Sequence, residues 1–92
     1  LAFLMTMPLT FFPDYEFTID DEVEKELDLT SPEEVLIYAI LTLSGKEIRD
    51  LTANLMAPIV INARARRAKQ IVLDRSPYTT KHRLFPADKE GR

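Results

Sequence analysis

The sequence predicts a mainly β fold with one short acidic helix. Three observations carry this. Apolar residues fall in short runs rich in Ile, Val, Leu, Phe and Tyr, such as VLIYAILTL at 35–43 and PIVIN at 58–62, and these show no helical stripe. Prolines and polar clusters cut the runs to strand lengths. Only the stretch from Asp20 to Leu27 joins a helix start to i, i+4 charge pairing.

Residues 1–7, LAFLMTM, are apolar in both alternating phases and read as a strand buried on both faces, ended by Pro8. Residues 9–14, LTFFPD, form a turn or short helical link. At least two of Phe11, Phe12 and Tyr15 belong in the core. Tyr15, Phe17 and Ile19 alternate with Glu16 and Thr18, the pattern of a short half-buried strand. Asp20 or Asp21 then begins a helix that runs to about Leu27. Asp21 as N-cap with Glu24 three residues on resembles a capping box, and Asp21 to Lys25 is a favourable pair. Val23 and Leu27 give that helix a narrow apolar stripe. Glu22, Glu24, Glu26 and Asp28 make its outer face acidic.

SPEE at 31–34 imitates a helix start, but the nine residues after it are apolar throughout. They read as a central strand buried on both faces and closed by Ser44-Gly45. Residues 46–52 are a polar connection. Strands are expected at 53–62 and 68–73, joined by the basic hairpin loop NARARRAK. Pairing Ile59 with Leu73 sets Ile61 opposite Ile71 and Asn62 opposite Gln70, with a tight turn near Ala65-Arg66-Arg67. Pro58, inside the apolar stretch TANLMAPIVIN, has no backbone N–H and demands an edge or a bulge. Asn54 and Asn62 are placed to pin the ends of that stretch through side-chain to backbone bonds. Ile59 to Ile61 then stay in the core, while Leu55 to Pro58 bend away as a rim. From Asp74 onward the chain reads as an ordered edge and then a frayed tail. Residues 1–85 form one expected domain whose bare apolar opening points to an absent N-terminal portion, and 86–92 a flexible tail.

The composition narrows function by exclusion. There are 92 residues, no cysteine, one histidine and two glycines. Thiolate metal sites, disulfides and phosphate-cradling loops are therefore unavailable. His82 has no acid within three residues in sequence and reads as an exposed histidine rather than a catalytic base. The apolar opening LAFLMTMPLTFFP is too short for a membrane span and has no basic segment before it. The lack of cysteine favours an intracellular address, since small secreted domains usually need disulfides. Charge is lopsided: residues 1–45 carry net −9 and residues 46–92 net +6. This means either a bipolar surface or two halves that neutralise each other once folded. The acids at 20–28 lack metal-loop spacing. They are a solvated helix face or a docking patch for a basic partner. Arg64, Arg66, Arg67 and Lys69 are a solubilising hairpin tip or a phosphate contact, with no aromatic in the loop to stack a base.

FFPDYEF at 11–17, TANLMAPIVIN at 52–62, AKQIVL at 68–73 and YTTKH at 78–82 together resemble the flagellar assembly factor FliW family in order and spacing. The resemblance covers nearly the whole chain and corresponds to the C-terminal portion of the family's domain. It implies a small, mostly antiparallel barrel-like fold without catalysis or cofactor. It also implies a cytoplasmic chaperone and translation regulator that binds flagellin and sequesters CsrA, an RNA-binding repressor of flagellin translation. On that reading the candidate protein-binding residues are Asp14, Tyr15, Glu22, Glu24, Glu26, Asn54, Leu55, Met56, Pro58 and Asn62. No nucleic-acid or membrane contact is expected, and a monomer is favoured. The alternative is a small β-rich RNA-binding module that uses the basic hairpin loop.

Overall fold

The computed structural model describes residues 3–43 and 45–85. The architecture is mainly antiparallel sheet: β1 (Leu4–Thr6), β2 (Val35–Leu43), β3 (Leu51–Ala53), β4 (Ile59–Asn62), β5 (Arg67–Gln70) and β6 (His82–Arg83), with one helix, α1 (Asp21–Glu26). The strand order is β5-β4-β2-β3-β6, and β1 also pairs with β2. The sheet is curled but not closed among the described residues.

Everything hangs on β2. Its first half pairs with β4 (Val35 with Asn62 through Tyr38 with Ile59), and its second half with β3 (Leu41 with Ala53) and with β1 (Leu41 with Leu4). The nine-residue strand read from VLIYAILTL is present with those bounds. SPEE before it closes only a three-residue 3-10 turn, Pro32–Glu34. Burial on both faces holds less well. Ala39 is fully buried, most of β2 is half-buried, and Leu43 is exposed.

Two apolar clusters form the core. Tyr15, Ala39, Ala53, Leu55 and Leu84 make one, with Phe11, Phe12 and Tyr78 packed against it. Val23, Leu27 and Val60 make the other. Phe17 and Ile37 pack against both and join them. The stripe of α1 is thus the one expected, because Val23 and Leu27 are four apart and share a helix face.

Four expectations about the elements need correction. The opening strand exists only as Leu4–Thr6, and Phe3, Leu4 and Met5 are 63, 59 and 42% exposed rather than buried on two faces. β1 meets β2 along one edge, and Leu4 and Met5 stay exposed while Thr6 is half-buried. Tyr15 to Ile19 runs without turn or bend but enters no ladder. The N-cap of α1 is Asp20, not Asp21, without a side-chain cap bond. The β4–β5 register is also displaced: Ile59 faces Gln70, Ile61 faces Ala68 and Asn62 faces Arg67.

The displacement has a local cause. Asn62 Oδ1 accepts the Ala65 N–H at 3.3 Å, and the Arg66 N–H donates to the Ala63 carbonyl at 3.3 Å. Arg66 supplies the left-handed corner at φ 58°, uncommon for a residue with a Cβ. The chain therefore reverses directly after Asn62, and pairing resumes at Arg67.

Between β3 and β4 the chain inserts residues 54–58, where β2 offers only Ala39 and Ile40. This is a large bulge, as Pro58 requires. The hairpin partner still follows it: the Ile71 N–H donates to the Pro58 carbonyl at 3.0 Å and the Leu73 N–H to the Met56 carbonyl at 2.7 Å. The expected flexible tail at 86–92 lies outside the described residues.

Candidate protein-binding site

The TANLMAPIVIN stretch is anchored from several directions. Asn54 Oδ1 accepts the Met56 and Ala57 N–H groups at 3.1 and 3.0 Å, a side-chain turn of the kind asparagine favours. The Thr79 carbonyl accepts the Leu55 and Met56 N–H groups, each at 3.2 Å. The Tyr15 hydroxyl donates to the Leu55 carbonyl at 2.7 Å. His82 in turn accepts the Thr79 N–H through Nε2 at 2.8 Å and stands edge-on to Phe12 and Tyr78. His82 is therefore half-buried within an aromatic cluster, not the exposed histidine expected.

These contacts place the bulge inside the molecule. Leu55 is 1% exposed, and Pro58 is among the most completely buried side chains. Within the expected rim, Leu55 and Pro58 are core instead, while Met56 and Ala57 are half-buried. The reason is that its anchors, Tyr15, Leu73 and Thr79, arrive from distant parts of the chain. Tyr15 and Asn62, buried at 6 and 0%, likewise offer no side chain to a partner. Only Asn54 and Met56 of the motif candidates are partly accessible, and Asp14 is exposed. Pro58→Ala should lose buried ring contacts and a fixed φ, about 1–2 kcal/mol. Urea unfolding should register that loss while partner affinity of the folded protein stays unchanged.

Tyr15 carries a second consequence. Burial, and then the neighbouring Tyr78 phenol, push its hydroxyl above the ordinary tyrosine range. The folded state thus holds this proton more tightly than the unfolded chain. Stability from the group is full below the unfolded value of about 10 and declines as pH rises past it. Tyr15→Phe should cost about 1–3 kcal/mol at pH 7, because the Leu55 carbonyl loses its donor. Urea midpoints measured across alkaline pH should fall less steeply in the variant.

The acidic and basic halves of the sequence meet across the end of α1. Asp28 adopts φ 57° just past the helix. The Leu29 N–H returns to the Glu24 carbonyl at 2.9 Å and the Asp28 N–H to the Lys25 carbonyl at 3.2 Å, the bond pair of a Schellman ending. The β4–β5 hairpin caps the remaining carbonyls. Asn62 Nδ2 donates to Leu27 and Asp28, at 2.8 and 3.0 Å. Arg64 donates to the Asp28 carbonyl at 2.7 Å and Arg67 to the Glu26 carbonyl at 3.0 Å. Cations here also suit the helix dipole.

The side chains pair as well. Arg64 bonds the Glu34 carboxylate and approaches that of Asp28, while Lys69 reaches Glu26 at 2.6 Å. The Arg64 hydrogen bond, helped by the Thr30 N–H, lowers the Glu34 pKa to about 2. Of the two expectations for the lopsided charge, mutual neutralisation therefore describes this region. Arg64, Arg67 and Lys69 are occupied by the protein itself. Among the described residues, Asp20, Asp21, Glu22 and Glu24 have no basic partner within ion-pair distance. The candidate acidic patch thus keeps Glu22 and Glu24 and shares Glu26 with Lys69. Arg64, Asp28 and Glu34 were missed as a set because they lie up to 36 residues apart. Thr79 was within reach, since it belongs to the YTTKH block.

The site contains tied backbone, buried amides and an acidic helix face, with no group of three or more metal-ligating side chains among the described residues. No described helix is long and apolar enough to cross a membrane. Fold and site together define a small antiparallel β scaffold whose polar chemistry is spent on holding its own loops. Comparison with known proteins supplies the family. The FliW protein family model matches residues 1–84, and the chain belongs to the FliW family.

It is similar to named relatives over most of its length. It is 48% identical over 86 residues to the flagellar assembly factor FliW of Geobacillus kaustophilus (strain HTA426), covering 94% of this chain and 59% of that protein. It is 42% identical over 92 residues to the flagellar assembly factor FliW of Anoxybacillus flavithermus (strain DSM 21510 / WK1), covering 100% of this chain and 63% of that one. A crystal structure of the flagellar assembly factor FliW superposes with a TM-score of 0.88 at 45% identity, covering 95% of this chain and 60% of that chain. The chain spans about three fifths of the length of these relatives.

Proposed function

We propose that this protein is a flagellar assembly factor that acts by binding proteins in the cytoplasm, not by catalysis. The observation that carries the reading is membership of the FliW family, whose relatives bear that name at 40–48% identity. In the finer form of the reading, it binds flagellin as a chaperone and sequesters the RNA-binding repressor CsrA, so that flagellin level sets flagellin translation.

Surface chemistry supports two kinds of contact. The exposed acids Glu22 and Glu24 of α1 are complementary to a basic RNA-binding protein. The exposed apolar residues Phe3, Leu4, Met5 and Leu9 suit the apolar termini of flagellin. RNA binding by the hairpin is the weaker reading, because Arg64, Arg67 and Lys69 already bond Glu26, Asp28 and Glu34.

Calorimetric titration with purified CsrA at low salt tests the acidic surface. Glu22→Lys combined with Glu24→Lys should weaken binding by about tenfold or more, through lost attraction and new repulsion. Flagellin affinity should change little. Unchanged CsrA affinity in the double variant would remove α1 from that interface.

A further inference from the structure

Residues Glu16 to Ile19 run without turn or bend and belong to no sheet, and Asp20 after them is extended (φ −67°, ψ 153°). Both ends are fixed. The Tyr78 hydroxyl accepts the Glu16 N–H at 3.1 Å and donates to the Glu16 carbonyl at 3.2 Å. The Asp20 carbonyl accepts the Glu24 N–H at 3.0 Å. Between these ties, no hydrogen bond from the described residues engages the backbone N–H or carbonyl of Phe17, Thr18 or Ile19. The segment is an unbent stretch tied at both ends with free backbone groups between, which is a template for another chain.

A groove of about 700 Å³, open to solvent, runs along this segment. Phe17, Ile19, Leu29, Val35 and Ile37 line it, and Glu16 and Glu24 stand at its margin. Neither acid has a basic partner within ion-pair distance among the described residues, in contrast to Glu26, Asp28 and Glu34. An apolar lining, an acidic margin and a row of unpaired backbone groups therefore coincide.

We propose that this groove binds an extended, amphipathic segment of a partner protein, added as a strand beside residues 16–19. Its alternate side chains are apolar and fill the groove, and the intervening ones are lysine or arginine at the margin. A strand fits better than a helix, because only an extended partner satisfies the backbone of Phe17 to Ile19. Charge complementarity selects a basic partner over a second copy of this acidic chain, whose net charge is −3. The inference holds whichever flagellar component supplies the segment; it shares Glu24 with the α1 contact proposed for CsrA, and peptide binding with protection at 17–19 reads the groove apart from that contact.

The test uses two synthetic peptides of about ten residues, a length typical of the longer strands, one alternating valine with lysine and the other valine with glutamate. Binding is measured by calorimetry, and amide hydrogen exchange locates the contact. The valine–lysine peptide should bind saturably and slow exchange at Phe17, Thr18 or Ile19 by about tenfold or more. The valine–glutamate peptide should bind at least about tenfold more weakly, and Glu16→Lys with Glu24→Lys should reverse the preference. Slowing confined to β1 or β5 would overturn the proposal, as would equal affinity for both peptides. Protection of 17–19 that grows with protein concentration in the absence of peptide would assign the groove to a second copy and overturn it too.

Discussion

Asn62→Ala should be the most damaging single polar substitution in the described structure, at about 2–5 kcal/mol. Asn62 is completely buried. Its amide nitrogen donates to the Leu27 and Asp28 carbonyls, and its oxygen accepts the Ala65 N–H. Alanine leaves the Leu27 carbonyl and the Ala65 N–H without their side-chain partner, each costing about 1–3 kcal/mol when buried. A total near the upper figure is a large share of the 5–15 kcal/mol that typical domains possess. Urea unfolding at neutral pH should show a large drop in midpoint. Hydrogen exchange should also quicken at Asp28 and Leu29, because the ending of α1 rests on this amide. Asn62→Asp is predicted to do no better. It keeps an acceptor for Ala65 but sets a carboxylate against two carbonyl oxygens.

Leu55→Ala should cost a comparable 2–5 kcal/mol, for a different reason. The substitution opens a cavity between Tyr15, Ala39, Ala53 and Leu84, the residues that share its cluster. The bulge backbone is held at Leu55 by Thr79 and Tyr15, so it has little freedom to collapse into the space. Leu55→Met should cost less than about 1.5 kcal/mol, since the volume is nearly kept. A surface leucine would behave otherwise, with alanine costing at most about 0.5 kcal/mol. Thermal or urea unfolding of the two variants therefore separates a core role from a rim role, without any knowledge of the partner.

Much of the sheet was legible in the chain. VLIYAILTL is a strand because β-branched and large apolar residues repeat without a helical stripe, and SPEE could nucleate only a single turn before it. Pro58 required an edge or a bulge, and the two asparagines were legible as side chains that pin backbone. Val23 and Leu27 gave the buried face of α1 by their spacing alone. What stayed hidden depends on contacts far apart in sequence. Leu55 looks like a candidate rim until Tyr15, 40 residues away, is seen to bond its carbonyl. The acidic and basic halves look like two surfaces until Lys69 is found on Glu26, 43 residues away. The hairpin register was misread because one side chain, Asn62, closes the turn earlier than strand alternation suggests. Within the candidate site, the acids of α1 were visible as charges. Which of them remain unpaired was decided by the hairpin.

This distinction shapes the functional account. Conformation and charge in the motif region are used internally, so binding is assigned to what is left exposed: the outer face of α1, the open apolar side chains near β1 and the groove beside residues 16–19. We propose that this surface recognises proteins. Affinity capture from a lysate of flagellated bacteria tests it most directly, using the full chain as bait and analysing both the protein and the RNA retained. The account predicts that flagellin is captured, and that CsrA replaces it when flagellin is depleted, with both persisting after ribonuclease treatment. Retention of RNA with neither protein, lost steeply as salt is raised, would contradict it.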